Sequence, residues 1–348
     1  MTGKLPFASD YMDGAHPAVL EALVRTNAMK VTGYGMDEVT QQAREKILEA
    51  CGLEDAQIHF ISGGTQTNAI VVGALLAPYQ GVLCAATGHI NGHEAGAVEH
   101  GGHKVITLAH TDGKITAEQI RDAMEAYLSD GARDHIVMPG AVYLSQPTEF
   151  GTLYTKEELA AISRTAKEYG IPLYVDGARL AYALACGEND VTLKDLAKLC
   201  DVFYIGGTKC GALFGEAVVV TKKDLIPHFF TIIKQNGAVL AKGRAMGVQF
   251  DALFTDDVYG KLGEQAIACA DRIRGAMKRL GIGSYVPSPT NQIFHVLTDR
   301  QAETLMRRAE LNVWEKLEDG HTVVRIVTGW STTQEETDAL IRCLEEIA

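Results

Sequence analysis

Seven short apolar runs recur between residues 59 and 221: HFIS (59–62), VLCAA (82–86), KVITL (104–108), GAVYLS (140–145), PLYV (172–175), VFYI (202–205) and AVVVT (217–221). They are mostly continuous rather than alternating, so neither face of their sheet is left to water. Strands of this kind, separated by amphipathic helices, specify an α/β fold: a mainly parallel sheet covered by helices. Helix punctuation agrees. Thr116 with Gln119, and Thr155 with Glu158, have capping-box spacing; Thr192 opens LKDLAKLC, and Gly170 closes the helix begun at Thr155. After about residue 245 the texture changes. A long helical stretch, LGEQAIACADRIRGAMKRLG, meets the short strands NQIFHVL and TVVRIVT, and Thr333 with Glu336 caps a last helix. This reads as a smaller α+β domain.

The chain has 348 residues, enough for two domains. The expected division is an N-terminal segment 1–20, a large domain 21–245 and a small domain 246–348. Its net charge of −12 argues against partners that require a basic surface, nucleic acid or anionic lipid. No apolar run reaches the length of a membrane span, and MTGKLPFASDYMDG lacks the apolar centre of a signal peptide. The seven scattered cysteines contain no CxxC, which fits reduced thiols in the cytoplasm.

Ligands of open parallel sheets bind beyond the carboxyl ends of the strands, so the residues there carry the most information. PLYV is followed by Asp176, Gly177, Ala178 and Arg179. VFYI is followed by Gly206, Gly207, Thr208 and Lys209. HFIS is followed by Gly63, Gly64, Thr65 and Gln66 at a helix start. Each has a plain reading alone: an Asp-Gly turn, a solvated loop lysine, a helix cap. Together they supply an acid, an amine and an anion-binding turn, with the acid and amine 33 residues apart, one αβ step. Pyridoxal phosphate requires these three groups. The amine bonds its aldehyde, the carboxylate keeps its ring nitrogen protonated, and backbone donors hold its phosphate. The lysine must be partly desolvated to be neutral and nucleophilic, which its glycine and apolar neighbours favour.

The segments SGGTQTN (62–68), DGAR (176–179), GGTK (206–209), HINGHEAG (89–96), YGMDEVT (34–40) and TEFGT (148–152) resemble the threonine aldolases. These are fold type I pyridoxal-phosphate enzymes near the β-eliminating lyases, and the likeness extends from Ser9 to Trp330. The resemblance implies cleavage of L-threonine, L-allo-threonine and related β-hydroxy-α-amino acids to glycine and an aldehyde. It implies that Lys209 bonds the cofactor aldehyde, that Asp176 binds the ring nitrogen, and that His89 stacks on the ring. Arg179 would face the ring's phenolate oxygen and the substrate carboxylate. Gly64, Thr65, Gln66 and Thr208 would hold the cofactor, and Ser9 and Arg325 the substrate carboxylate. Lys234, Arg244 and Tyr34 would reach a neighbouring subunit's site in a dimer or tetramer.

One departure concerns catalysis. Thr148 stands where many of these enzymes carry a second histidine. That leaves the base for the β-hydroxyl proton open between His89 and His93. Six histidines lie between 89 and 135, but no HExxH or HxH pattern occurs, so no metal site is expected. Two other readings stay open: another pyridoxal-phosphate reaction, β-elimination or transamination, and a nucleotide-binding regulatory module built on Gly63-Gly64-Thr65. The second lacks GxGxxG and gives Lys209 no task.

Overall fold

The computed structural model of the protein describes residues 3–348. Its main sheet contains β1 (Gln57–Ile61), β2 (Gln80–Ala85), β3 (Val105–Leu108), β4 (Met138–Ser145), β5 (Leu173–Asp176), β6 (Val202–Gly206) and β7 (Glu216–Val220). The spatial order is β1-β7-β6-β5-β4-β2-β3. β6, β5, β4, β2 and β3 pair in parallel, while β7 is antiparallel to both β6 and β1.

Side-chain alternation explains why these strands are apolar throughout. Val142, Leu144, Leu173, Val175, Phe203 and Ile205 enter one core, beneath the helices Pro17–Thr26, Glu38–Cys51 and Lys156–Glu168. Their neighbours Ala141, Tyr143, Tyr174, Val202 and Tyr204 enter a second core on the opposite face, under the helices Gly64–Leu75 and Phe229–Gln235. Each fully buried side chain of Val, Leu or Phe size contributes about 1.5–3 kcal/mol.

The C-terminal region forms an antiparallel sheet of β8 (Gln292–Thr298), β9 (Asn312–Lys316) and β10 (His321–Val327), with β10 in the middle. The helix Val258–Arg279 joins the two regions. Its Tyr259, Leu262 and Ala266 belong to the first core, and its Ala270, Ile273 and Met277 to a third core under this sheet. The expected division at 245/246 falls inside the helix Arg244–Leu253, whose Met246, Val248 and Phe250 pack in the first core. The N-terminal segment crosses between regions: Leu5–Pro6 pairs with Ala309–Glu310, and Phe7 is buried in the third core.

One edge of the main sheet gathers the polar residues. Gly63 and Gly64 come after β1, His89 after β2 and Lys209 after β6, while Ser145 ends β4 and Asp176 ends β5. Because β7 runs the other way, its first residue, Glu216, lies opposite Gly206 at the same edge. Among the described residues no helix is long and apolar enough to cross a membrane, and all seven cysteines are buried and unpaired.

Candidate active site

Asp176 lies on the floor of a cleft at this edge and is 4% exposed. Its Oδ2 accepts hydrogen bonds from the Tyr143 hydroxyl at 2.6 Å and Asn68 Nδ2 at 3.0 Å; its Oδ1 accepts one from the Ala178 N–H at 2.9 Å. Burial pushes its carboxyl up. The charge of His89 and hydrogen bonds from Tyr143, Tyr204 and Asn68 outweigh that and hold it below the usual carboxylate value. A buried carboxylate held in its charged form still attracts a cation, and a protonated ring nitrogen would meet that demand.

His89 and Asp176 belong to one hydrogen-bonded chain. His89 Nδ1 pairs with Glu94 Oε1 at 2.7 Å. The same oxygen accepts from Asn68 Nδ2 at 2.7 Å, and Asn68 also donates to Asp176. The Tyr174 hydroxyl donates to Asn68 Oδ1 at 2.7 Å, so the amide cannot flip without breaking that bond.

Lys209 is presented by a clamped turn. Glu216 accepts from the Gly207 N–H at 3.1 Å and the Thr208 hydroxyl at 2.8 Å, and the Tyr182 hydroxyl donates to the Lys209 carbonyl at 2.5 Å. Only glycine fits at 207, since a Cβ would come within 2.6 Å of the Gly215 carbonyl oxygen. Burial, then the charge of Arg179, pull the Lys209 amine below the ordinary lysine value, against the opposing charges of Asp10, Asp176 and Glu216. A lysine so placed gives up its proton more readily than an exposed one, which favours a nucleophilic amine.

The third component is the start of the helix Gly64–Leu75. Gly63 precedes it in extended conformation, and no side chain caps it. Its first N–H groups are left for a ligand, with the helix dipole behind them. Gly64, Thr65 and Thr208 share a cavity of ≈ 250 Å³ with Lys209, Asp176, His89 and Arg179. The residues therefore fit pyridoxal phosphate: an amine, an acid and an anion cradle line one cavity.

A second cavity of ≈ 490 Å³ adjoins the first and shares Lys209, His89, Arg179, Tyr11 and Glu149 with it. His93, Trp314, Gln292 and Arg325 form its other wall. Arg325 is half-buried on the central strand β10. Its Nη1 donates to Gln292 Oε1 at 3.2 Å, its guanidinium lies 5.6 Å from the Trp314 ring centre, and its Nε has no partner among the described residues. Burial, then the Arg179 charge, lower its pKa. A cation with unused donors beside the amine suits a substrate carboxylate. His93 is exposed, with its ring 5.6 Å from that of His89.

The other expected residues lie elsewhere or are already engaged. Arg179 Nε and Nη2 are both held by Asp10, at 2.6 and 3.0 Å. Ser9 lines neither cavity, although its neighbour Tyr11 lines both. Gln66 turns aside to Ser62 and the Asn236 carbonyl. Lys234 Nζ sits 4.4 Å from the Tyr34 ring centre, and Arg244 donates to the Thr26 and Met29 carbonyls, away from Lys209. Thr148 is buried, and its hydroxyl pairs with Thr152 Oγ1 at 2.6 Å, which fixes the loop. Among the described residues no cluster of His, Cys, Asp or Glu could hold a metal ion.

Sequence reasoning assigned no role to Asp10, Asn68, Glu94, Tyr143, Glu149 or Glu216. Glu94 and Asn68 lie inside quoted motifs and could have been questioned there. Glu216 opens its strand, so a search confined to the carboxyl ends of strands passes over it. Tyr143 is indistinguishable from core in an apolar run.

Comparison with known proteins fits this geometry. The low specificity L-threonine aldolase of Pseudomonas aeruginosa is 31% identical over 345 residues, covering 97% of this chain and 96% of that protein. The low specificity L-threonine aldolase of a Pseudomonas species is 30% identical over 312 residues, 87% of each chain. The solved structure of a Leishmania major threonine aldolase superposes with a TM-score of 0.95 at 40% identity, over 99% of both chains. The architecture is that of the fold type I pyridoxal-phosphate enzymes. The profile of the beta-eliminating lyase family matches residues 6–309, and the chain belongs to that family.

Proposed function

We propose that this protein is a pyridoxal-phosphate-dependent aldolase that cleaves L-threonine, L-allo-threonine and related β-hydroxy-α-amino acids to glycine and an aldehyde. The observation that carries the reading is the placement of the Lys209 amine and the Asp176 carboxylate in one cavity, beside an uncapped helix start. The relatives above, threonine aldolases matched over nearly their whole lengths, support the choice of reaction. Pyridoxal phosphate would supply, when bound, a sink for the electron pair left at Cα.

The chain's own residues do the rest. Lys209 would bond the cofactor, Asp176 would keep its ring nitrogen charged, and the N–H groups of Gly64 and Thr65 would hold its phosphate. His89, oriented by Glu94, covers the ring. Arg325 would bind the substrate carboxylate and so fix the orientation of the substrate's Cα bonds, which would select the Cα–Cβ bond for cleavage.

We infer self-association to a dimer or tetramer with shared sites. Leu20, Val24, Met29, Tyr34 and Met36 are exposed apolar residues, Val24 being 78% exposed; Tyr34 lies against Lys234, and Arg244 donates to the Met29 carbonyl. We assign the protein to the cytoplasm, as seven buried, unpaired cysteines suit a reducing compartment. A coupled aldehyde assay on L-threonine, L-allo-threonine and phenylserine, with D-threonine as control, tests the reaction. Aldehyde and glycine in equal amounts are expected from the L-substrates; ammonia and a keto acid would identify an eliminating lyase instead.

A further inference from the structure

Resting on the aldolase reading, we infer that Glu149 is the catalytic base that takes the β-hydroxyl proton. Three observations carry it. Glu149 lines both cavities, so it stands where a substrate side chain would pass from the Arg325 wall to Lys209. It is held in place: its Oε1 accepts from the Ser145 hydroxyl at 2.6 Å and the His89 N–H at 2.9 Å, and Gln292 donates to its main-chain carbonyl at 3.4 Å. Both side-chain bonds fall on Oε1, so Oε2 has no partner among the described residues. The preceding residue, Thr148, cannot serve, because its hydroxyl is taken up by Thr152.

The histidines are less suited. His89 Nδ1 is bonded to the buried Glu94, which fixes its ring. His93 is exposed and stands a ring further from the first cavity, which it does not line. Glu149 is only partly exposed, and burial raises its carboxyl above the ordinary value, with the charge of Asp176 adding to that. The Ser145 bond, its own backbone and the charge of His89 act the other way. The other groups around it are Tyr143 on the preceding strand β4, Cys84 at β2, Tyr154, and Lys209, Arg179, Arg325, His93, Glu216 and Tyr11 across the cavities. A carboxylate raised toward neutrality is a better proton acceptor than an ordinary one.

The step balances without a co-reactant. The hydroxyl O–H bond breaks and its proton moves to Glu149 Oε2. The freed pair forms the carbonyl of the departing aldehyde. The Cα–Cβ pair stays with the glycine fragment, and one proton then restores the bond at Cα while Glu149 is deprotonated for the next turnover.

The test uses the holoenzyme and its Glu149→Gln and Glu149→Asp variants. With L-threonine, kcat for Glu149→Gln should fall by about 10²–10⁴-fold, with KM within about threefold. The acid limb of the wild-type kcat profile should vanish, and Glu149→Asp should recover part of the loss. Exchange of the glycine α-proton with deuterated water needs no β-hydroxyl and should stay within about threefold of wild type. Independently of turnover, the wild type should show a protonated-carboxyl infrared band, titrating above the ordinary glutamate range, that Glu149→Gln lacks. Cleavage by Glu149→Gln at the wild-type rate would overturn the assignment. So would an equal loss of cleavage and glycine exchange, which would mark a structural role. Failure of the wild type to release any aldehyde would instead defeat the aldolase reading.

Discussion

The floor of the cleft and its C-terminal wall are built on opposite principles. On the floor, Asp176 accepts from Tyr143, Asn68 and the Ala178 N–H, and Glu216 from Thr208 and the Gly207 N–H. On the wall, Arg325 donates to Gln292 at 3.2 Å, and among the described residues its Nε has no partner and its guanidinium is in no ion pair. The floor is complete before anything binds, whereas the wall holds back its donors. A resident cofactor needs fixed positions, and a transient substrate needs donors that nothing in the protein already occupies.

Four substitutions break or sharpen this contrast. Lys209→Ala should lower aldehyde release by about 10⁴-fold or more and abolish the visible absorbance of bound cofactor; turnover near wild type would remove Lys209 from the chemistry. Asp176→Asn should lower kcat by about 10²–10³-fold while far-ultraviolet dichroism shows the fold intact; an unchanged kcat would detach the carboxylate from the ring nitrogen. Arg325→Ala should raise KM for L-threonine by about 10–100-fold, the worth of a charged hydrogen bond or two. Its Tm should move by no more than about 2 °C, because the wild-type side chain is poorly paired. A large loss of stability there would mean the wall is as structurally committed as the floor.

The smallest effect is a pH dependence of the floor. Burial pushes the Glu216 carboxyl up to about 7. The folded state therefore keeps a proton that the unfolded chain gives up at the ordinary glutamate value. Stability from this group is full below that value and is lost as pH rises toward 7. In Glu216→Gln the decline in Tm between about pH 5 and about pH 7 should flatten by roughly 2 °C. An identical decline in both proteins would assign it to other groups.

Much of this was legible in one dimension. Lys209, Asp176 and the Gly63–Gly64 turn declare themselves because each comes at the end of an apolar strand, and parallel strands bring their carboxyl ends to one edge. The caps read at Thr116, Thr155 and Thr333 form as capping boxes, and Thr192, read only as a helix start, forms one with Asp195. Other features were hidden for particular reasons. Glu216 opens a reversed strand, so its position depends on strand direction. Tyr143 and Tyr174 are polar only at one atom, and their hydroxyls face the site because alternation puts them on the cofactor side of the sheet. The pairing of Asp10 with Arg179 spans 169 residues and leaves no local trace.

The sequence by itself determined the layered fold and the edge where the chemistry gathers, because apolar periodicity, caps and glycine turns act over a few residues and need no distant partner. Only the tertiary structure decided which donors hold Asp176, that Arg179 is ion-paired with Asp10 while the Arg325 Nε has no partner among the described residues, and that Glu149 lines both cavities while the Thr148 hydroxyl is taken up by Thr152. Those outcomes depend on which side chains from separate strands meet in a space closed to water, and that competition is settled only when the layers pack.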